Sequence, residues 1–146
     1  MELRQLHLGL DWVHAPTSYD AACLCGRIQF RINEKPRVHY CHCTMCQRAT
    51  GSPAAVLGWV KKTAVLWGKE HPTEYRSSPV AVRSFCGVCG SPICLAYDGS
   101  DEVGIHLGCV SLSKELPPYY HYGIEGRLPW FDAGKELEGT VTSEKW

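Results

Sequence analysis

Hydrophobic and polar side chains alternate with a period of two from Ala22 to Ile32. The apolar parity holds Ala22, Leu24, Ile28, Phe30 and Ile32. Successive side chains of a strand point to opposite faces, so this alternation predicts one strand with an apolar face. Cys23 and Cys25 share the other parity and would present both sulfur atoms on one side of that strand. Cys41 and Cys43 would do the same, with His42 pointing the opposite way.

Short apolar runs separated by glycine and proline predict further strands. These lie at residues 54–60, 80–85, 93–97 and 103–110, with one helical turn expected at 47–50. The stretch 116–132 is rich in proline, glycine and aromatic residues and is interpreted as an ordered loop. We therefore expect one all-β domain of short antiparallel strands at residues 19–146, preceded by an N-terminal extension at residues 1–18.

The composition adds the expected class and location. The chain has 146 residues, of which 45% are hydrophobic and 21% charged, with a formal net charge of zero. A nucleic-acid-binding surface normally needs a basic face, so no nucleic-acid partner is expected. No apolar run approaches the roughly 20 residues of a membrane helix, and the first residues do not resemble a signal peptide. We expect a cytoplasmic protein with no membrane partner.

Cysteine is the unusual residue of this chain. The nine cysteines are Cys23, Cys25, Cys41, Cys43, Cys46, Cys86, Cys89, Cys94 and Cys109. A disulfide framework fits poorly because the number is odd, no export signal is visible and seven of the nine lie in tight local clusters. The clusters favour metal binding.

Two motifs have the spacing of metal sites. Cys86-Gly-Val-Cys89-Gly has the form of a zinc knuckle, which supplies two of the four ligands that structural zinc requires. Cys23 and Cys25 can supply the other two, although the segment Cys41-His-Cys-Thr-Met-Cys46 competes as a donor. If the first site is closed without that segment, the segment offers three thiolates and leaves one position open, as in catalytic zinc sites.

A closed second site is the alternative. His42, Cys94, Cys109 or a distant histidine could supply a fourth ligand. His42 is unfavourable because Cys41 and Cys43 flank it. Cys94 and Cys109 are interpreted as core cysteines, since free cysteine often behaves as a small buried hydrophobe.

The order of motifs resembles a known family. Cys23-Leu-Cys-Gly, Cys41-His-Cys-x-x-Cys, Tyr75-Arg-Ser-Ser-Pro, Arg83-x-Phe-Cys-x-x-Cys-Gly-Ser and the final His121…Pro129-Trp130 are similar to the glutathione-dependent formaldehyde-activating enzymes. That family shares its domain with centromere protein V. The resemblance spans roughly residues 22–131.

The resemblance implies a fold, two metal sites and an activity. The fold would be Mss4-like, built of coiled antiparallel sheets. One structural zinc would lie on Cys23, Cys25, Cys86 and Cys89, and one catalytic-type zinc on Cys41, Cys43 and Cys46. The activity would be that of a carbon–sulfur lyase joining glutathione, or a similar thiol, to formaldehyde or another small aldehyde.

Some positions depart from the family pattern. Gln47 replaces the basic residue that commonly follows the third cysteine of the segment, and Ser111-Leu112 lacks the usual Leu-Asp. Candidate anchors for glutathione carboxylates are Arg48, Lys61, Lys62 and Arg83, each of which is otherwise a solvated surface charge. His121 and Trp130 either line a pocket or pack a loop.

Two other functions remain open. One is a zinc-stabilised binding module without turnover, as some relatives of the fold suggest. The other is hydrolysis of a carbonyl or imine by zinc-activated water.

Overall fold

The computed structural model describes residues 18–131 and residue 138. The expected N-terminal extension lies outside the described residues except for Ser18, and so do most residues after 131. The predicted domain boundary therefore stays a prediction.

Short strands dominate the described chain. The strands are β1 (Tyr19–Ala22), β2 (Gln29–Ile32), β3 (Arg37–Cys41), β4 (Ala55–Lys61), β5 (Val65–Trp67), β6 (Thr73–Ser78), β7 (Ala81–Phe85), β8 (Pro92–Tyr97), β9 (Glu102–His106) and β10 (His121–Tyr122). One helix, α1 (Thr44–Thr50), follows β3, and short 3-10 turns lie at 62–64, 107–109, 113–115 and 124–126. Among the described residues no helix is long and apolar enough to cross a membrane.

The strands form two open sheets. A small sheet has the order β1-β2-β5, and a large seven-stranded sheet has the order β10-β3-β4-β9-β8-β7-β6. All pairs within them are antiparallel except β10, which runs parallel to β3. The all-β expectation is confirmed, with one parallel edge strand added.

One face of the large sheet packs against the small sheet. Val38, Val60 and Ile105 of the large sheet belong to the same buried cluster as Phe30 and Ile32 of the small sheet. The alternation in β2 explains the local structure, because Phe30 and Ile32 are buried while Gln29 and Arg31 are exposed. This interface is the main core.

The opposite face of the large sheet carries a smaller cluster. Cys41, Ala55, Leu57 and Leu95 are buried there, and Cys46 of α1 packs onto them. The central strand β4 is therefore covered on both sides, which explains its nearly continuous apolar sequence. This second face brings the sulfur atoms of Cys41 and Cys46 into one cluster.

The prediction of one continuous strand over residues 22–32 is wrong, because the chain turns between Ala22 and Gln29. β1 ends at Ala22 and β2 begins at Gln29, with a turn between them in which Gly26 has φ of 79°. Leu24 is 88% exposed, although its parity had placed it on the apolar face. The Gly26 amide donates to the Cys23 carbonyl oxygen at 3.1 Å, so the turn satisfies its own backbone.

The other elements differ mainly at their ends. The helical turn expected at 47–50 is a longer helix that begins at Thr44, because the Cys43 sulfur accepts the Cys46 amide and caps it. The strand expected at 103–110 ends at His106 and continues as a 3-10 turn. Strands β5, β6 and β10 were not predicted, and each lies at the edge of a sheet. β10 falls within the stretch 116–132 that was expected to be a loop, and β1 and β3 were anticipated only at their last residues, Ala22 and Cys41.

Candidate metal centres

Four cysteines from two distant turns meet beside the main core. Cys23 and Cys25 lie in the β1–β2 turn, whereas Cys86 and Cys89 lie in the β7–β8 turn. Their four sulfur atoms all lie within 4.8 Å of one another. The Cys25 sulfur is 3.5 Å from that of Cys23 and 3.8 Å from that of Cys86.

Each turn contains a glycine with a positive φ whose amide closes the turn. Gly26 and Gly90 have φ of 79° and 78°, and their amides donate to the carbonyl oxygens of Cys23 and Cys86. A positive φ is easily reached only by glycine, so these residues allow the chain to curl around the sulfur atoms. The Ile28 amide also donates to the Cys23 sulfur at 3.3 Å. N–H groups directed at sulfur stabilise the thiolate form, which is the form that binds a metal.

The donor set of this four-thiol group fits a closed metal site. Four sulfur ligands complete a tetrahedral shell. The Ser91 hydroxyl lies 3.2 Å from the Cys89 sulfur, and its hydrogen bond lowers the pKa of Cys89 to about 5. The same hydroxyl accepts the Leu24 amide at 3.0 Å, so Ser91 links the two turns.

Three more cysteines form a second group on the other face of the large sheet. Cys41 ends β3, Cys43 caps α1 and Cys46 lies in the first part of that helix. Their sulfur atoms also lie within 4.8 Å of one another. No fourth cysteine, histidine or carboxylate joins the group within residues 18–131 or at residue 138. The three-thiol group thus could hold a metal ion while leaving one coordination position open.

The alternative fourth ligands lie elsewhere. The His42 ring is buried with Nε2 2.8 Å from His121 Nδ1. Cys94 belongs to the main core and lies 2.7 Å from the Ser84 hydroxyl. The half-buried Cys109 donates to the Pro92 carbonyl oxygen at 3.3 Å. Cys94 and Cys109 pack against the main core, as expected from sequence.

Arg83 of β7 reaches across the sheet to the three-thiol group. Its Nη2 lies 3.5 Å from the Cys46 sulfur, while Nε and Nη1 are buried with no hydrogen-bond partner among the described residues. A hydrogen bond from the Cys41 thiol and the Arg83 charge together lower the pKa of Cys46 to about 5. The bond to Cys46 and burial raise the pKa of Cys41. The group is therefore prepared to carry negative charge.

The C-terminal segment holds the three-thiol loop in place. Gln47 Nε2 lies 2.9–3.2 Å from the carbonyl oxygens of His42, Pro53 and Gly126. A Cβ at Gly126 would meet the His42 oxygen at 2.5 Å, so only glycine permits this close approach. The His42 amide donates to the Tyr122 oxygen at 2.9 Å. Gln47 therefore fixes the loop, which explains why this position need not carry a positive charge.

A basic cavity of about 510 Å³ lies on one side of the three-thiol group. Arg83 and Arg48 line it together with Tyr75, Ser77 and His106. Burial and the Arg83 charge lower the pKa of His106 to about 4, so its imidazole is neutral at pH 7. The positive charge of this cavity comes from the two arginines.

A second, smaller cavity measures about 190 Å³. The Cys41 side chain is part of its wall, and aromatic rings from β4, β8 and the C-terminal segment supply most of the rest. The three-thiol group thus adjoins a basic cavity through Arg83 and an aromatic cavity through Cys41.

The remaining residues that the sequence suggested as substrate contacts lie at different places in the structure. Arg48 and Arg83 line the basic cavity, whereas Lys61 and Lys62 are exposed at the far end of β4 and line neither cavity. His121 stacks on Tyr40 and supports the loop. Trp130 is exposed and lines neither cavity.

Sequence reasoning missed the aromatic residues and His106. Trp59 shares parity with the buried Leu57, and this alternation signalled an inward side chain. The alternation could not predict a cavity at Trp59. The aromatic rings that face Trp59 come from distant segments, and only the register of strand pairing brings them opposite it.

Comparisons with known proteins agree with this arrangement. A sequence profile described as glutathione-dependent formaldehyde-activating enzyme matches residues 18–125. A Schizosaccharomyces pombe protein described as an uncharacterized lyase is 35% identical over 80 residues, covering 54% of this chain and 58% of that protein. The match therefore spans less than two thirds of that relative.

The fold has a counterpart among solved structures. A crystal structure of a Rhodobacter sphaeroides protein superposes with a TM-score of 0.53, covering 70% of this chain and 98% of the other. The two sequences are 19% identical over the match, so this likeness concerns the fold alone.

Replacing Arg83 should selectively weaken metal binding at the three-thiol group. We expect Arg83→Met to lower zinc affinity there by about 10- to 100-fold, because a charged hydrogen-bond donor next to a ligand sulfur is lost. Competition with a colorimetric chelator measures that affinity. Arg48→Met is the matched control, since Arg48 lines the same cavity and, unlike Arg83, does not hydrogen-bond to a cysteine sulfur among the described residues. Equal losses in both variants would contradict a specific role for Arg83.

Proposed function

The chain belongs to the glutathione-dependent formaldehyde-activating enzyme family, and we propose that it is a zinc-dependent carbon–sulfur lyase. It would join glutathione or a similar thiol to formaldehyde or another small aldehyde. The observation that carries the proposal is the three-thiol group, which lacks a fourth protein ligand in the described chain. The lyase description of the Schizosaccharomyces pombe relative supports an enzyme over a binding module without turnover.

Zinc is the metal that suits both cysteine groups. Tetrahedral sulfur sites favour zinc or iron–sulfur clusters, and the knuckle spacing of Cys86 and Cys89 is typical of zinc. We assign a structural zinc to Cys23, Cys25, Cys86 and Cys89. A second, catalytic-type zinc is assigned to Cys41, Cys43 and Cys46, which gives two ions per chain.

The metal would supply one kind of chemistry. A zinc ion held by Cys41, Cys43 and Cys46 would supply an open coordination position that favours the thiolate form of a bound thiol, which is the nucleophilic form. Three thiolates and a dication leave one net negative charge. The guanidinium of Arg83 beside the Cys46 sulfur offsets that charge and favours the approach of a further thiolate.

The basic cavity suits the remainder of a glutathione molecule. Glutathione carries two carboxylates, and Arg48 is an exposed guanidinium at the wall of this cavity. The cavity adjoins the three-thiol group, so a tripeptide anchored there would keep its sulfur near Cys46. Holding the two reactants together supplies much of the rate enhancement of an addition reaction.

The reaction itself is a balanced addition. The sulfur–carbon bond forms while the π bond of the aldehyde carbonyl breaks, and the proton from the thiol ends on the aldehyde oxygen. No oxidant or reductant is needed. His106 remains neutral in the wall of the basic cavity and can offer a hydrogen bond without adding charge.

A cytoplasmic location is part of the same proposal. None of the nine cysteines forms a disulfide bond, and we assign seven of them to zinc. Free thiols and thiolate metal sites persist in a reducing compartment.

The two cysteine groups should respond differently to substitution. We expect Cys86→Ser to give unfolded protein, because structural zinc contributes about 10–16 kcal/mol that is available only to the folded chain. Cys43→Ser should stay folded and keep one zinc per chain instead of two. Circular dichroism and elemental analysis of purified protein measure both results. If Cys43→Ser unfolds as completely as Cys86→Ser, the three-thiol group is structural and the lyase proposal fails.

Catalysis can be measured directly by exchange. We expect the protein to accelerate exchange of ¹³C-formaldehyde between its free and glutathione-bound forms. Two-dimensional exchange NMR measures the rate of this exchange. Cys43→Ser should return the rate to that of buffer because the open site is lost. Cys109→Ser is the matched control, since this thiol belongs to neither group, and it should retain the rate. A wild-type rate equal to that of buffer, tested with several small aldehydes, would leave a binding module as the better interpretation.

A further inference from the structure

The aromatic cavity has no use in the addition of formaldehyde alone. Trp59, Tyr97, Tyr120 and Tyr122 line it, and so does Cys41, one of the three candidate metal ligands. Formaldehyde has no substituent that could fill this space. The cavity therefore bears on which aldehyde the enzyme accepts.

Hydrogen bonds and parallel ring packing fix the aromatic walls. Trp59 Nε1 donates to His39 Nε2 at 2.7 Å, and His39 Nδ1 donates to the Tyr40 carbonyl oxygen at 3.0 Å. Both nitrogens of the His39 ring are thus occupied. The Trp59 and Tyr97 rings lie nearly parallel, 13° apart with centroids 5.9 Å from each other.

A glycine on the neighbouring strand sets the position of Trp59. Gly104 pairs with Trp59 across β4 and β9, and a Cβ there would lie 3.0 Å from the indole carbons. The indole can therefore lie flat over the backbone of β9. Because this wall is already ordered, a ligand that binds against it would lose less free energy to the ordering of side chains.

The size and polarity of the cavity match an aryl group. Apolar cavities of about 150 Å³ accommodate benzene, and this cavity measures about 190 Å³. Leu57 and Leu95, both buried, add aliphatic surface to the aromatic rings, and none of the described residues that line the cavity is a lysine, an arginine or a carboxylate. Offset and edge-on contacts between rings are favourable beyond the area they bury.

We infer that the aldehyde partner of this enzyme carries an aryl substituent, which binds in the aromatic cavity while the carbonyl carbon lies near Cys41. The inference rests on the proposed thiol–aldehyde addition. The bond that forms joins the thiol sulfur to the carbonyl carbon, and the proton of the thiol moves to the carbonyl oxygen. The product is an aryl hemithioacetal, which needs no further reactant.

A matched pair of exposed tyrosines tests the inference. Tyr122 and Tyr119 are 60% and 66% exposed, but only Tyr122 lines the cavity. With zinc-loaded protein and glutathione, we expect kcat/KM to be higher for benzaldehyde than for formaldehyde. Tyr122→Ala should lower the benzaldehyde value about tenfold more than the formaldehyde value, a typical loss for an apolar pocket contact. Tyr119→Ala should match wild type for both.

A binding measurement separates this inference from the proposed function. Benzyl alcohol, an unreactive probe, should show saturation transfer from wild-type protein and from Tyr119→Ala but much less from Tyr122→Ala. Catalysis of formaldehyde addition without benzyl alcohol binding or a benzaldehyde preference would overturn the aryl inference and leave the lyase proposal intact. Binding of benzyl alcohol without turnover of any aldehyde would overturn both the lyase proposal and the aldehyde assignment. Stronger binding of tetramethylammonium than of benzyl alcohol would show a cation site and also overturn the aryl inference.

Discussion

The meeting of two distant turns at the four-thiol group is the constraint on which the rest of the structure depends. Strands β1, β2 and β5 have only three or four residues each, at the short end of the usual range. Cys23 and Cys86 are members of the main core, so a metal at this point would tie the small sheet to β7 and β8. Those two strands carry Arg83, Leu95 and Tyr97, and their position therefore sets the walls of the candidate active site.

The large sheet divides stability and chemistry between its two faces. One face packs against the small sheet, whereas the other gathers the three-thiol group, the basic cavity and the aromatic cavity. Strand pairing aligns Cys41 with Ala55 and Arg83 with Leu95, which places side chains from distant segments on one surface. A rigid sheet positions reactive groups more precisely than loops can. The exception is the 41–46 segment, which Gln47 and the C-terminal residues hold in place.

Local signals in the sequence predicted part of this arrangement. Strands β4, β7 and β8 were placed within one residue at each end, because their apolar runs end at glycine, proline or charged residues. The edge strand β6 was missed since most of its residues are exposed and show no apolar face. The cysteine sulfurs lie in the expected two groups, but neither predicted strand pair is on a strand. Cys23 and Cys25 lie in a turn, and Cys43 caps α1 after β3 has ended at Cys41. The aromatic cavity was not predictable, because Trp59, Tyr97 and Tyr120 approach only after long-range pairing.

The central claim is that Cys41, Cys43 and Cys46 hold a metal with one position open to a thiol. The most direct measurement is the absorption spectrum of cobalt-substituted protein during titration with glutathione, with S-methylglutathione as the control that lacks a thiol. The account predicts that one equivalent of glutathione per three-thiol site increases sulfur-to-cobalt charge-transfer absorption, and that S-methylglutathione does not. An unchanged spectrum at saturating glutathione would contradict the claim.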